Sequence, residues 1–270
     1  MNITGKIPVP FKADCGNLSC LIHSANGIQG VDQYSSELYL MEKENEINKV
    51  RLIRQYDRLT YCPQTNGYFA ICGKNQYCIF ILDANCREID CLKLRPEEIG
   101  YPMKDIWFDS EANLIWIVTD IRIYVLNSNG DLLNSFMTAP LGTEYKAVCT
   151  YGEFVFVGFV KEACLYIASY TNRGVYLEQV GLGGSYTVRN IQPVFDKDKI
   201  FLHILVMKGN RFPTILEIEL SGCQRNCIKS DSKQFGGIQV EYSCESPEIH
   251  STCNIEESDF SNINSQNNII

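Results

Sequence analysis

Between residues 104 and 136 the chain reads KDIWFDSEANLIWIVTDIRIYVLNSNGDLLNSF. Apolar runs of four to six residues are broken at each end by Asp, Asn, Ser and Gly. Short runs rich in Val, Ile, Trp and Tyr between turn-forming residues are strand signals. The pattern predicts strands at 105–108, 114–118, 121–126 and 132–136, with a turn over 109–113. Asn129-Gly130 suits a tight hairpin, because both residues tolerate positive φ. The stretch is thus predicted to be a small antiparallel sheet of four strands, the size of one propeller blade.

The same unit recurs. Its third strand begins at Leu38, Ile79, Ile123, Leu165 and Ile215, in steps of 41, 44, 42 and 50 residues. The strand before it begins at Tyr68, Leu114, Phe154 and Ile200, each time after a turn signal such as Asn66-Gly67. Multi-strand units at such a period mark a β-propeller, and no long 3.6-residue apolar period supports an α/β alternative. The expected architecture is all-β, a propeller of about five to six four-stranded blades within one domain, 1–253. Its units are 18–52, 56–94, 103–138, 144–180 and 190–220, with a closing strand at 236–244 where Ile238, Val240 and Tyr242 alternate. In the first unit 20–23 reads as a strand and the glycine-bearing 26–30 as a loop. Segment 93–102, with Pro96 and Pro102, reads as a connector, as does the glycine-rich 181–185. The Asn-, Ser- and Glu-rich stretch 254–270 reads as a flexible tail.

Charge narrows the partners. A formal net charge of −8 with scattered Lys and Arg disfavours nucleic acid and anionic membranes, which need a basic stripe. No apolar run has the length of a membrane span or a signal peptide, so a cytoplasmic protein is expected. The 13 cysteines fit that expectation. They are odd in number, spread along the chain and without a Cys-x-x-Cys, unlike the disulfide framework of a small secreted domain. Cys72, Cys78, Cys149 and Cys164 fall within strand patterns, where a thiol acts as a small hydrophobe.

Candidate chemistry is sparse. Aligned by unit, Asp57, Asp105, Lys146 and Asn190 fall just before the first strand, where side chains would ring one mouth of a propeller channel. The four are expected to hold a ligand, with Asp57 and Asp105 not deep in the core, although Asp and Asn also favour turns at strand starts for local reasons. Near the C-terminus, Cys223, Cys227, Cys244, His250 and Cys253 have the donor types of a zinc site; their spacing matches no compact knuckle, and free thiols are the plainer reading. His203, in FLHILV, reads as a satisfied interior or face residue. No nucleophile elbow, HExxH or phosphate-binding loop is present, so no catalytic residue and no cofactor is assigned.

Residues 105–132 resemble the repeats of NHL and SMP-30-like propellers, in which strand-turn-strand is followed by an "IyVld-xxG" hairpin; here that hairpin is IYVLNSNG. SMP-30-like hydrolases hold a divalent cation in the channel on Glu, Asn and Asp. The resemblance would carry Asp57, Asp105 and Asn190 over as ligands, while Lys146 and the lack of a matching Glu depart from it. YDRLTYCP (56–63) and REIDC (87–91) are similar to uncharacterised Cys-rich proteins of anaerobic spore-forming bacteria, which implies no activity. The sequence is therefore read as a non-catalytic binding platform for an unidentified protein or small polar ligand. The alternative is a metal-dependent, SMP-30-like hydrolase or lactonase. Cytoplasmic residence predicts that thiol titration of the denatured, freshly purified protein, without reductant, will count most of the 13 cysteines; six bridges would place the protein in an oxidising compartment.

Overall fold

In the computed structural model of the chain, the described residues are 2–8, 18–24, 27–32, 34–41, 47–73, 75–136, 143–183, 186–196, 199–208 and 213–220. The chain divides into two compact units, Met1–Gln224 and Arg225–Ile270, and the second lies wholly outside the described residues.

The first unit is built of strands. In chain order they are β1 (Asn2–Pro8), β2 (Leu18–Ser24), β3 (Gly27–Asp32), β4 (Glu37–Met41), β5 (Ile47–Arg51), β6 (Arg58–Cys62), β7 (Gly67–Cys72), β8 (Asn75–Leu82), β9 (Glu88–Lys93), β10 (Asp105–Asp109), β11 (Leu114–Val118), β12 (Ile123–Asn127), β13 (Leu132–Phe136), β14 (Glu144–Tyr151), β15 (Phe154–Lys161), β16 (Cys164–Thr171), β17 (Tyr176–Gly181), β18 (Tyr186–Asp196), β19 (Lys199–Lys208) and β20 (Thr214–Glu219). Four sheets are simple meanders: β2 to β5, β6 to β9, β10 to β13 and β14 to β17. The fifth has the order β1-β20-β19-β18. The first strands β2, β6, β10, β14 and β18 neighbour one another around a closed circle. The fold is a five-bladed β-propeller.

The core is not central but divided among the blade interfaces. Apolar clusters lie between blades one and two (Leu38, Tyr56, Leu59, Phe80), two and three (Ile71, Ile106, Phe108, Ile115), three and four (Trp116, Val148, Val157, Tyr170), and four and five (Phe156, Ile167, Ile191, Ile204). Each fully buried aliphatic side chain there contributes about 1.5–3 kcal/mol relative to exposure. The interface between blades five and one is different. Five buried apolar residues (Leu18, Leu21, Tyr39, Leu205, Ile215) meet there among the described residues, against eleven to fifteen at the others. Polar groups complete it. The Gln192 carboxamide accepts from the His23 amide at 2.9 Å and donates to the Leu21 carbonyl, standing in for one residue of a strand ladder.

The repeat is also visible in the turns. At the hairpins after the third strands of blades two, three and four, one side-chain oxygen accepts two backbone amides. These are Asp83 Oδ1 from Asn85 and Arg87, Asn127 Oδ1 from Asn129 and Asp131, and Thr171 Oγ1 from Arg173 and Val175. Three residues beyond the acceptor the backbone turns left-handed, at Cys86 (φ 61), Gly130 (φ 88) and Gly174 (φ 82). In the Asn129-Gly130 hairpin only Gly130 has positive φ; the Asn127 side chain, not Asn129, sets the turn.

One expectation is corrected. Segment 26–30, read as a loop, contributes to strand β3, which pairs with β2 and β4. Gly30 there is buried opposite Leu21 and Tyr39, so tertiary pairing overrides the low strand preference of glycine. The fourth strand of the last blade is β1, running antiparallel to β20 from Asn2↔Glu219 to Pro8↔Thr214. The expected closing strand at 236–244 lies outside the described residues, and the place beside β20 is taken by β1. Connector 93–102 carries a one-turn helix, α1 (Pro96–Ile99), ended by left-handed Gly100 and fixed by the Tyr124 hydroxyl donating to the Ile99 carbonyl.

Because β1 covers the open edge of β20, deleting residues 2–8 should expose a strand edge. The melting temperature should fall by about 10 °C and the protein should self-associate, as read by thermal unfolding and light scattering. A monomer with an unchanged melting point would show that β1 does not close the ring.

Candidate functional site at the channel mouth

All five first strands start at the same end of the ring. Three carry a β-bulge there, at Leu18/Cys20, Tyr145/Ala147 and Val188/Asn190, so that Ser19, Lys146 and Arg189 are the extra residues. In the other two blades Asp57 and Lys104 take that place, their amides donating to the Ile71 and Val118 carbonyls just before the ladder begins. The pairs that follow this place are Cys20↔Val31, Arg58↔Ile71, Asp105↔Val118, Ala147↔Gly158 and Asn190↔Leu205. The structurally equivalent ring is therefore Cys20, Arg58, Asp105, Ala147 and Asn190. Asp105 and Asn190 belong to it; Asp57 and Lys146 stand one residue earlier, in the bulge position. A one-residue shift along a strand turns a side chain to the opposite face, which is why these four do not converge.

Their surroundings differ accordingly. The Asp57 carboxylate accepts from the Gly73 amide within its own blade, and a Cβ at Gly73 would come within 2.8 Å of it. Lys146 pairs with Glu144 at 2.5 Å on the surface. Asn190 is buried. Asp105, expected to lie clear of the core, is 1% exposed. Oδ2 accepts from the Val148 amide of blade four at 3.0 Å, and Oδ1 lies 3.5 Å from Arg58 Nε of blade two. At that length the second contact is one of charge rather than a hydrogen bond. Arg58 Nη1 donates to the Asp57 carbonyl at 2.7 Å. One carboxylate thus ties three blades together.

Arg58 and Cys20 are the site residues that sequence alignment missed. The signal was present in the alternation Arg58-x-Thr60-x-Cys62, which faces blade three; Thr60 Oγ1 accepts from the Phe108 amide at 3.1 Å. Cys20 is fully buried, its thiol donating to the Leu59 carbonyl at 3.1 Å, and burial pushes it up to about 12. Burial also pushes the Asp105 carboxyl up to about 7, against the opposing pull of Arg58 and of the Val148 and Ile106 amides. Half-buried Arg189 is drawn below the ordinary guanidinium range by burial and then by the Arg58 charge.

A second polar group lies at the seam between blades five and one. The His203 ring meets His23 edge-on at 5.5 Å, and its Nε2 lies 3.2 Å from Glu217 Oε2. Burial, then the neighbouring His203, pulls His23 down to about 4. Among the described residues no three His, Cys, Asp or Glu side chains are grouped as metal ligands. Cys223, Cys227, Cys244, His250 and Cys253 lie outside the described residues. No helix among the described residues is long and apolar enough to cross a membrane.

No family profile matches the sequence, and no curated protein is significantly similar to it. Similar solved structures exist. Glutaminyl cyclase of Myxococcus xanthus aligns with a TM-score of 0.58 at 7% identity, over 81% of this chain and 95% of that one. A catalytically inactive variant of virginiamycin B lyase from Staphylococcus aureus, with quinupristin, aligns with a TM-score of 0.50 at 13% identity, over 74% of this chain and 66% of that one. Hydrazine synthase of Kuenenia stuttgartiensis aligns with a TM-score of 0.48 at 12% identity over 74% of this chain, which spans 58% of its length. At these identities the likeness is one of fold alone.

The two groups shifted by burial act in opposite directions. Asp105, raised from its ordinary 3.8 to about 7, contributes stability that is complete below 3.8 and lost as pH rises through 7. His23, lowered from 6.5 to about 4, contributes stability that is complete above 6.5 and lost as pH falls through 4. Each excursion is worth about 2–4 kcal/mol, so their slopes nearly cancel between pH 4 and 6.5. Relative to the parent, Asp105→Asn should gain stability as pH rises from 4 to 8, and His23→Gln as it falls from 7 to 4, in urea unfolding. Parallel pH profiles for parent and variants would refute the assignment.

Proposed function

We propose that this propeller is a non-catalytic binding platform that presents its channel-mouth face to a protein partner. The observation that carries the reading is topological. Loops from second to third strands, and connectors from fourth to first, emerge at the end where the first strands begin. Four large hydrophobic residues are exposed on those segments: Tyr34 (69%), Ile53 (72%), Tyr101 (45%) and Ile121 (36%). They come from three successive blades on the channel-mouth face. The same end of the ring carries the ion pairs Lys104–Asp120 and Lys146–Glu144. Exposed apolar groups amid polar ones on a rigid frame are what a protein interface requires, and a mixed charge pattern suits a partner surface better than a bare cation.

The SMP-30-like hydrolase reading lacks support at the ligand positions. Asp57 is engaged by the Gly73 amide, and Asp105 faces Arg58. Neither is placed to share a divalent ion with the other, one having its side chain in the bulge position and the other in the ladder.

The test compares paired variants. Tyr34→Glu with Ile53→Glu should melt within about 2 °C of the parent, since neither residue is packed, yet recover at least tenfold less partner when the tagged protein is captured from its own cells. Ile89→Glu with Leu133→Glu, exposed on the outer strands β9 and β13, should recover partner normally. Equal recovery by all three proteins would overturn the proposal.

A further inference from the structure

All eight described cysteines are unpaired thiols, but two of them are neighbours. Cys78 lies on β8 and Cys91 on β9, in the ladder Cys78↔Lys93, Ile79↔Leu92, Phe80↔Cys91. Side chains two apart on one strand share a face, so Cys78 shares its face with Phe80 and with the residue opposite, Cys91. Both thiols pack against the rim of the cluster between blades one and two. The diagonal of an antiparallel ladder is at the long end of what a disulfide spans. The two thiols share one face and one cluster rim on that diagonal, and rotation of the side chains with a small approach of the two strands joins them. Both residues are half-buried, as is Cys164, whereas Cys20, Cys62, Cys72, Cys86 and Cys149 are buried. A small oxidant reaches the pair more readily than these five, and of the three half-buried thiols these two have each other as partner.

We infer that Cys78 and Cys91 are an oxidation site, joined by hydroperoxide into an intramolecular disulfide between the third and fourth strands of blade two. One sulfur, as thiolate, attacks a peroxide oxygen; the O–O bond breaks, and a sulfenic acid and one water result. The second sulfur attacks the sulfenic sulfur, the S–O bond breaks, and a second water leaves. The two thiols lose two protons and two electrons in all, and hydrogen peroxide takes up both. The bond closes a loop of about 14 residues and pins β9, the strand that leads into the connector bearing Tyr101, so the melting temperature should rise by roughly 5 °C.

The native full-length protein is treated with hydrogen peroxide, its remaining thiols are blocked with N-ethylmaleimide, and it is digested without reduction. Trypsin with an Asp-directed protease separates Cys78 (in NQYCIFIL, 75–82) from Cys86 (in DANCR, 83–87) and Cys91 (in DCLK, 90–93). The expected product is the peptide pair 75–82 and 90–93, two hydrogens lighter than their sum. It should be absent from Cys78→Ser and lost on reduction. Alkylation of both thiols after peroxide, or pairing of either with another cysteine, would overturn the inference. A Cys78→Ser protein that gains the same melting shift on oxidation would overturn the stabilising role.

Discussion

The structure depends on covering one edge. Each of the five sheets keeps an inner and an outer edge strand, and a ring of sheets has in addition to be joined where the chain's two ends meet. Four blades are continuous meanders, each complete within its own stretch of chain. The fifth has only three strands from its own stretch of chain, β18 to β20, and β1 arrives from the other end to complete it. The two ends of the circle are thereby tied together by backbone hydrogen bonds, whose directionality specifies a register that apolar contacts alone would leave loose. The neighbouring seam shows why the tie is needed. It holds the smallest of the apolar clusters and relies on a carboxamide bridge from Gln192.

Around that closure the blades are repeats of one solution rather than one sequence. The acceptor that organises the outer hairpins of blades two, three and four is Asp, Asn or Thr, and the left-handed residue is Cys or Gly. What is kept is an oxygen that receives two amides and a residue that accepts positive φ. Chemical substitution at constant geometry explains why periodicity is easy to count along this chain while identity between units is low.

At the channel mouth the same economy shapes the rim of the ring. A bulge turns Lys146 away from the ring that Asp105 and Asn190 occupy, and Asp57 stands one residue before the ladder of its blade, outside that ring. The buried Asp105 links blades two, three and four, and keeps the ends of three first strands in register. Above this rigid base the loops are free to carry exposed Tyr and Ile side chains, as binding groups on a fixed frame commonly do.

How much of this was legible beforehand follows from the range of the forces involved. Strand periodicity, turn residues and the repeat length are local properties, so the sequence alone determined the all-β class, the four-stranded unit and the Pro-bounded connector around Pro96. It also placed Asp105 and Asn190 at matching points, because turn spacing brackets them closely. The strand at 27–32 was hidden because Gly27 and Gly30 carry a poor local signal that pairing on both sides overrides. The bulges were hidden because one inserted residue leaves the hydrophobic pattern almost intact while inverting which face each side chain takes. In blade two, without a bulge, the ladder begins at Arg58, so Arg58 belongs to the ring and Asp57 does not. Closure was hidden most completely. Which segment lies beside β20 depends on contacts between residues more than two hundred positions apart, such as Ile3 and Ile218, and only the tertiary structure brings such residues together.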